Sequence, residues 1–358
     1  MFVLAAIAVL VILVIVHELG HFLAARLQGI HANRFSIGFG PVIWKYQGPE
    51  TEYAVRGFLL GGYVGFPDDD PDSEIPADDP NLLRNRPVLD RAIVISAGVI
   101  ANLVFAYLLL TIQLGVVGVP TGFSHEPGVL VPHVISKDSP AAQANIKSGD
   151  IIVAVNQQDL GASEQATLVV KTAIESSPGQ PVELTVQRRD QMLTLKVTPK
   201  PDAEGKGRIG VELSPNGKRL YQHPPSILKT FSLAADEFEK IIVLTVQGFG
   251  QLISNFNETS QQVAGPVKIV EIGSNLARSD ATSLFQFAAL ISINLAILNS
   301  LPLPALDGGQ LFFLIVEAVR GKPLPTRLQD GIMQTGLVFL LGLGTFLILR
   351  DTAQLFQQ

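Results

Sequence analysis

Long apolar runs, broken at a few polar points, set the pattern of this 358-residue chain. Residues 2–16 are fifteen side chains without a polar group, and only His17, Glu18 and His21 interrupt before Arg26. Residues 92–118 and 281–306 carry no charge, and 331–349 form another uncharged stretch of 19. About 20 apolar residues cross a hydrocarbon core of ~30 Å as a helix, so four spanning helices are predicted. The first run lacks the basic n-region of a cleaved leader and is read as a retained span. Short connections rich in Lys and Arg face the cytoplasm. Arg26, Arg34, Lys45, Arg56, Arg84, Arg86 and Arg91 lie between the first two spans, and Arg320, Lys322 and Arg327 between the last two. Both termini and the long segment between spans two and three are therefore expected outside.

Other periodicities fill the gaps. Residues 34–66 alternate β-branched, aromatic and polar positions, with Gly38, Gly40, Gly57, Gly61 and Gly62 interspersed. They predict a sheet, either soluble on the cytoplasmic side or dipping back toward the bilayer. The second version needs a cavity, because open sheet edges at membrane depth must be covered. Residues 128–135, 151–156, 182–188 and 193–197 read as strands between turn signals such as Ser139-Pro140 and Pro178-Gly179, with a helix over 162–176. Residues 226–254 read as a helix too charged to span, suited to the outer interface. The stretch 68–79, with seven carboxylates in 12 positions, reads as a solvated linker.

Composition sharpens this picture at three points. Hydrophobic residues make up 47% and charged ones only 16%, against about 25% charged in an ordinary soluble domain. A net charge of −6 and the absence of any basic run exclude a nucleic-acid partner. Cysteine is absent, which excludes disulfides and thiolate chemistry. The expected domains are a membrane core over 1–122, a β-rich domain over 123–213, a linker with the interfacial helix over 214–280, and a second membrane core over 281–358.

The chemistry centres on His17-Glu18-Leu19-Gly20-His21. Histidines at i and i+4 share a helix face, so both imidazoles can reach one Zn²⁺, and Glu18 can take a proton from the attacking water. Ionisable groups within a span are costly unless paired or metal-bound. A catalytic zinc normally takes three protein ligands, and the remaining intramembrane candidate is Asp307, in Asn299-Ser-Leu-Pro-Leu-Pro-Ala-Leu-Asp-Gly-Gly309. At 1.5 Å per residue His17 lies ~22 Å in from the outer face, and Asp307, closing 26 uncharged residues that enter from outside, lies toward the same cytoplasmic depth. Pro302 and Pro304 interrupt the helix there.

Two resemblances follow from these motifs. Ser139-Pro140-Ala141-Ala142, Gly149-Asp150 and Val155-Asn156 resemble bacterial PDZ domains, although Asn145 and Gln157 stand where that family usually has Gly. This implies a groove for an extended C-terminal peptide, with a ligand-free spacer as the alternative. The His17–His21 motif, the Asn299–Gly309 motif and the intervening PDZ-like domain together resemble the site-2 protease family. Gly38-Phe39-Gly40-Pro41, Gly61-Gly62-Tyr63-Val64 and Ser96-Ala97-Gly98-…-Asn102 match further family segments, with Val99 in place of a Pro. The resemblance implies a polytopic α-helical membrane protein of four transmembrane helices with a re-entrant β segment and an inserted PDZ-like α+β domain. It implies a zinc metalloendopeptidase of the inner (plasma) membrane that cuts transmembrane segments of single-span proteins, of the anti-sigma-factor or remnant-signal-peptide type, after a first cut outside. His17, His21 and Asp307 would hold Zn²⁺, Glu18 would be general base and then acid, and Asn299, Asn102, Gly61 and Gly62 would meet the substrate. For Asn299 a capping or interhelical bond competes with that role, and for Asn102 an interhelical packing bond is favoured. A membrane-anchored PDZ adaptor with structural zinc and a metal or proton transporter are the alternatives.

Overall fold

The computed structural model describes residues 1–70, 73–202, 204–255, 263–280 and 282–357. Among the described residues, four helices are long and apolar enough to cross a membrane. They are α1 (Phe2–Leu27), α2 (Val88–Val116), α7 (Ser283–Ser300) and Thr326–Gln354 of α9 (Thr326–Gln357). Two compact units are present, one of Met1–Val117 with His223–Leu355 and one around Gly118–Gln222.

In the first unit α1 and α2 approach closely because Gly20 faces Ala97 and Ala101. A Cβ on Gly20 would sit 2.5 Å from the Ala97 carbonyl oxygen and 2.7 Å from Ala101 Cβ. Helix α7 stops at Ser300, where Pro302 and Pro304 withhold backbone donors, and Ala305 takes a left-handed φ of 67°. Helix α8 (Asp307–Arg320) restarts immediately. Its first turn folds back on the break, and only glycine fits: a Cβ on Gly308 would lie 2.2 Å from the Leu301 carbonyl oxygen, and one on Gly309 2.3 Å from that of Leu303. The D-G-G text is thus the price of placing a helix N-terminus against a chain reversal. At the other end of α8, Glu317 takes a two-pronged bond from Arg91 of α2, at 2.5 and 3.0 Å.

The glycine-rich stretch forms β1 (Arg34–Gln47) and β2 (Glu52–Gly65), each of which bends on itself. Residues 44–47 pair antiparallel with 52–55, those pair parallel with 34–37, and 34–37 pair antiparallel with 62–65. The result is four short segments in the order 44–47, 52–55, 34–37, 62–65. Phe35 and Tyr53 of this sheet pack on Phe22 of α1. The acidic stretch differs from a free linker. Asp68 accepts the backbone N–H groups of Leu83 and Arg84, and Asp70 accepts from Asn33 and Arg34. These carboxylates therefore anchor the stretch by hydrogen bonds, which charge counting cannot reveal; residues 71 and 72 lie outside the described residues.

Helix α5 (Ile227–Ser254) packs on α2 and α7 through Ala234 and Ile241, with Thr230 and Thr245 buried in the same stripe. Away from that stripe, Leu228, Phe231, Val246 and Ile253 are apolar and exposed, and Asp236, Glu239 and Lys240 are exposed in the middle turns. Helix α6 (Pro266–Ser279) receives Asp351 of α9 at its first turn, where that carboxylate accepts the Lys268 N–H at 3.0 Å.

The second unit is β-rich. Strands β3 (Val119–Leu130), β4 (Ile151–Val155), β6 (Val182–Arg188), β7 (Gln191–Val197) and β10 (Ser214–Gln222) form one sheet in the order β10-β3-β4-β6-β7, with the two-residue β5 (Gln158–Asp159) beside β4. The short strands β8 (Lys200–Pro201) and β9 (Gly207–Arg208) pair separately. The turn α3 (Pro140–Gln143) and α4 (Gln165–Glu175) complete the unit, and α4 buries Ala166, Val170 and Ile174 at four-residue spacing. Val129, Val131, Ile152, Val170, Leu184 and Val186 are fully buried together, each contributing about 1.5–3 kcal/mol. Asn145 and Gln157 adopt φ values of 64° and 65°, the left-handed region in which glycine is the usual choice. Residues 214–222, expected in the linker, pair antiparallel with β3, which carries this unit beyond the expected limits of 123 and 213.

Candidate metal centre

His17 and His21 project from one face of α1, and their Nε2 atoms lie 3.2 Å apart. Asp307, the first residue of α8, places Oδ2 3.1 Å from His17 Nε2 and 3.3 Å from His21 Nε2. The three side chains are only 12–15% exposed. Asp307 Oδ2 is buried and has no aligned hydrogen-bond partner. Zn–N and Zn–O bonds of about 2.0–2.1 Å at tetrahedral angles put ligand atoms about 3.3–3.4 Å apart. The observed triangle matches three corners of such a site, with the fourth left for a water or substrate oxygen. Two imidazoles and one carboxylate form a donor set suited to zinc.

The neighbouring elements explain why these atoms converge. His21 Nδ1 donates to the Val94 carbonyl at 2.8 Å, which turns its Nε2 lone pair toward the centre. Gly98, one turn further along α2, makes room for both rings. A Cβ there would fall 2.3 Å from His21 Nε2 and 2.8 Å from His17 Cε1. Asn102, another turn on and fully buried, lies with Nδ2 3.4 Å from His17 Nδ1. Ser292 of α7 ties this point down by donating to the Asn102 carbonyl at 2.8 Å.

Glu18 points to the β segment. A Cβ on Gly62 would meet Glu18 Cγ at 2.9 Å and Val14 Cγ1 at 3.4 Å, so the 62–65 segment lies directly against the carboxylate-bearing turn of α1. Gly61, at φ 125°, abuts the Phe39 ring, which a Cβ would strike at 2.2 Å. Among the sequence-derived candidates, His17, His21 and Asp307 come together, Glu18 stands beside them, Gly62 touches Glu18, and Asn102 touches His17. Gly61 packs on Phe39 instead, and Asn299 sits half-buried on the last turn of α7. The Val94 carbonyl and the ring-accommodating role of Gly98 were not legible. Their signal is the spacing 94, 98, 102 on one stripe of α2, which carries meaning only once α1 is packed against it.

A histidine pair with an adjacent glutamate, completed by a carboxylate from a second helix and set among apolar spans, defines a zinc metalloprotease of the membrane. Comparison with known proteins agrees. The model of Peptidase family M50 matches residues 5–343, and the chain belongs to this family, that of the site-2 proteases. It is 61% identical to all3971 of Nostoc sp., named as a zinc metalloprotease, covering 100% of this chain and 98% of that protein. It is 47% identical to the membrane metalloprotease ARASP, chloroplastic, of Arabidopsis thaliana, covering 99% of this chain and 79% of that one. The PDZ domain of an SdrC-like protein from Listeria monocytogenes is similar at 25% identity, covering 24% of this chain and 86% of that one, with a TM-score of 0.21. The protein is thus a multi-pass membrane zinc metalloprotease whose cofactor is Zn²⁺.

Proposed function

We propose that this protease cuts peptide bonds within transmembrane segments of single-span membrane proteins, with His17, His21 and Asp307 as zinc ligands and Glu18 as the proton carrier. The observation that carries this reading is the convergence of three ligand atoms within 3.1–3.3 Å, two of them on α1, which is apolar enough to cross a membrane, and the third at the first residue of α8, just beyond the end of α7. Zinc, when bound, supplies Lewis-acid polarisation of a scissile carbonyl and acidifies water. Glu18 takes the proton of the attacking water and returns it to the leaving amine. The Asn299 amide donates to the developing oxyanion, a contribution of about 3 kcal/mol in a dry site.

A helical peptide bond is shielded by its own hydrogen bonds, so the substrate must unwind before it is cut. The 62–65 segment pairs with 34–37 on one edge, and among the described residues no strand covers its other edge. An unwound substrate adds there as a further strand, with Gly62 keeping the approach low and Glu18 alongside. On this reading the 34–66 sheet lies at membrane depth as a re-entrant segment, and α5 lies in the outer interface. The protein lies in the inner (plasma) membrane with both termini and the PDZ-like unit outside. That unit receives a C-terminus left by an earlier outside cut, or excludes uncut proteins by size. Remnant signal peptides and anti-sigma-type proteins have the required single span.

The test is reconstitution in liposomes with a single-span substrate and mass mapping of the cut. A bond inside the apolar run, cut by wild type and not by Glu18→Gln, is the expected result. Cutting confined to the flanking soluble residues would contradict the proposal.

A further inference from the structure

We infer that Asn102 is a positioning residue for the metal centre: its side-chain carbonyl accepts the Nδ1–H of His17 and so holds the Nε2 lone pair toward the zinc. This rests on the ligand assignment above and adds to it the group that fixes one ligand's tautomer. The two imidazoles present a common problem. Each ring must offer a bare Nε2 to a metal, so its proton must sit on Nδ1 and be accepted by a neighbour. His21 meets this need with the Val94 main-chain carbonyl at 2.8 Å, an oxygen that can only accept. For His17 the polar group against Nδ1 is the Asn102 amide, at 3.4 Å.

The amide has two ends of opposite polarity, and a half turn about its last torsion exchanges them at almost no change in shape. With Nδ2 toward the ring, the imidazole would have to accept, and its proton would move to Nε2. That proton would point into a space bounded by His21 Nε2 at 3.2 Å and Asp307 Oδ2 at 3.1 Å, where it would block ligation. With Oδ1 toward the ring, His17 and His21 are held alike. The amide is fully buried, so water does not compete for the ring nitrogen. Its backbone is pinned by Ser292 at 2.8 Å, which limits its drift along α2. Val94, Gly98 and Asn102 then work as one stripe at four-residue spacing: an acceptor for His21, a gap for both rings, and an acceptor for His17. The role differs from substrate binding, since a side chain with no exposed surface and an imidazole as neighbour has no access to a scissile bond.

The experiment is zinc affinity in detergent by chelator competition for the full chain as wild type, Asn102→Leu and Asn102→Asp, with the visible spectrum of each cobalt-substituted form. Leucine matches the shape without an acceptor and is expected to weaken zinc binding about 10–100-fold. Aspartate keeps an acceptor and is expected to bind within a few-fold of wild type with a wild-type-like cobalt spectrum. Equal zinc affinity in the leucine variant, or loss in the aspartate variant to the leucine level, would overturn the inference. Zinc-free wild type would overturn the ligand assignment beneath it. Should the leucine variant fail to fold, ¹⁵N-histidine spectra of metal-loaded wild type decide the matter. A His17 Nδ1 proton protected from exchange is expected, and a freely exchanging one would contradict the assignment.

Discussion

Two buried carboxylates, one in each unit, show how differently the same group can be used. Asp150 in the β-rich unit is 1% exposed and fully partnered: Arg188 donates to both of its oxygens at 2.7 Å, and the Lys147 N–H adds a third bond at 2.9 Å. Burial alone would raise its pKa, but the Arg188 guanidinium and the Lys147 N–H together hold it below the ordinary carboxylate value. Asp307 in the membrane unit is 15% exposed but buries its Oδ2, which has no aligned partner and faces two imidazole nitrogens. Buried polar groups normally find partners. On the proposed ligand assignment, the one that is satisfied from within serves the fold, and the one left open toward two imidazoles serves a bound ion.

The comparison can be broken in four ways. The largest effect is expected at Glu18→Gln, which should lower cleavage by roughly 10²–10⁴ with zinc content unchanged, measured as turnover beside metal analysis. Loss of metal in this variant would mean that Glu18 belongs to the ligand set. Next, Asp150→Ala leaves Arg188 with its bond to the Asn145 carbonyl alone and removes the acceptor of the Lys147 N–H, a change that costs on the order of 1–3 kcal/mol. Hydrogen exchange should show β4 and β6 opening while zinc content holds. Third, Gly98→Ala pushes a methyl group into the His21 ring and should weaken zinc about tenfold, the low end for groups that orient ligands. Gly115→Ala on the same helix meets only Thr230 Cγ2, at 3.7 Å, and should leave zinc affinity unchanged.

The smallest effect concerns pH. A carboxyl with a lowered folded pKa stabilises fully above its unfolded value of about 3.9, and that contribution is lost as pH falls through the folded value. Acid should therefore leave the Asp150 bond intact at pH values where free carboxylates are already half protonated. Arg188→Met should move the acid unfolding of the β-rich unit to higher pH, as read by circular dichroism. An unchanged acid midpoint would show that the guanidinium does not set the Asp150 pKa.

Much of this was legible in the chain because it is local. Four uncharged runs gave four helices, and i, i+4 spacing brought His17 and His21 together. Asp307 could be reached by elimination because ionisable groups are rare within spans. What escaped depended on pairing across distance. Residues 214–222 contain Pro215 and Gly217 and carry large apolar side chains only at the adjacent Leu220 and Tyr221, so no alternation marks a strand; β3 supplies the pattern. The four-segment order of the 34–66 sheet follows from bends at Gly38 and Gly40, with φ of 87° and 84°, and alternation does not encode which segments become neighbours. Asn102 announced a polar group in a span without naming its partner, His17, which lies 85 residues away.

The most direct test is zinc per chain, by elemental analysis, in wild type, Asp307→Ala and Asp150→Ala purified side by side. The account predicts about one zinc in wild type and in Asp150→Ala, and none retained in Asp307→Ala. One zinc retained by Asp307→Ala would contradict it, because the open carboxylate would then not be holding the ion.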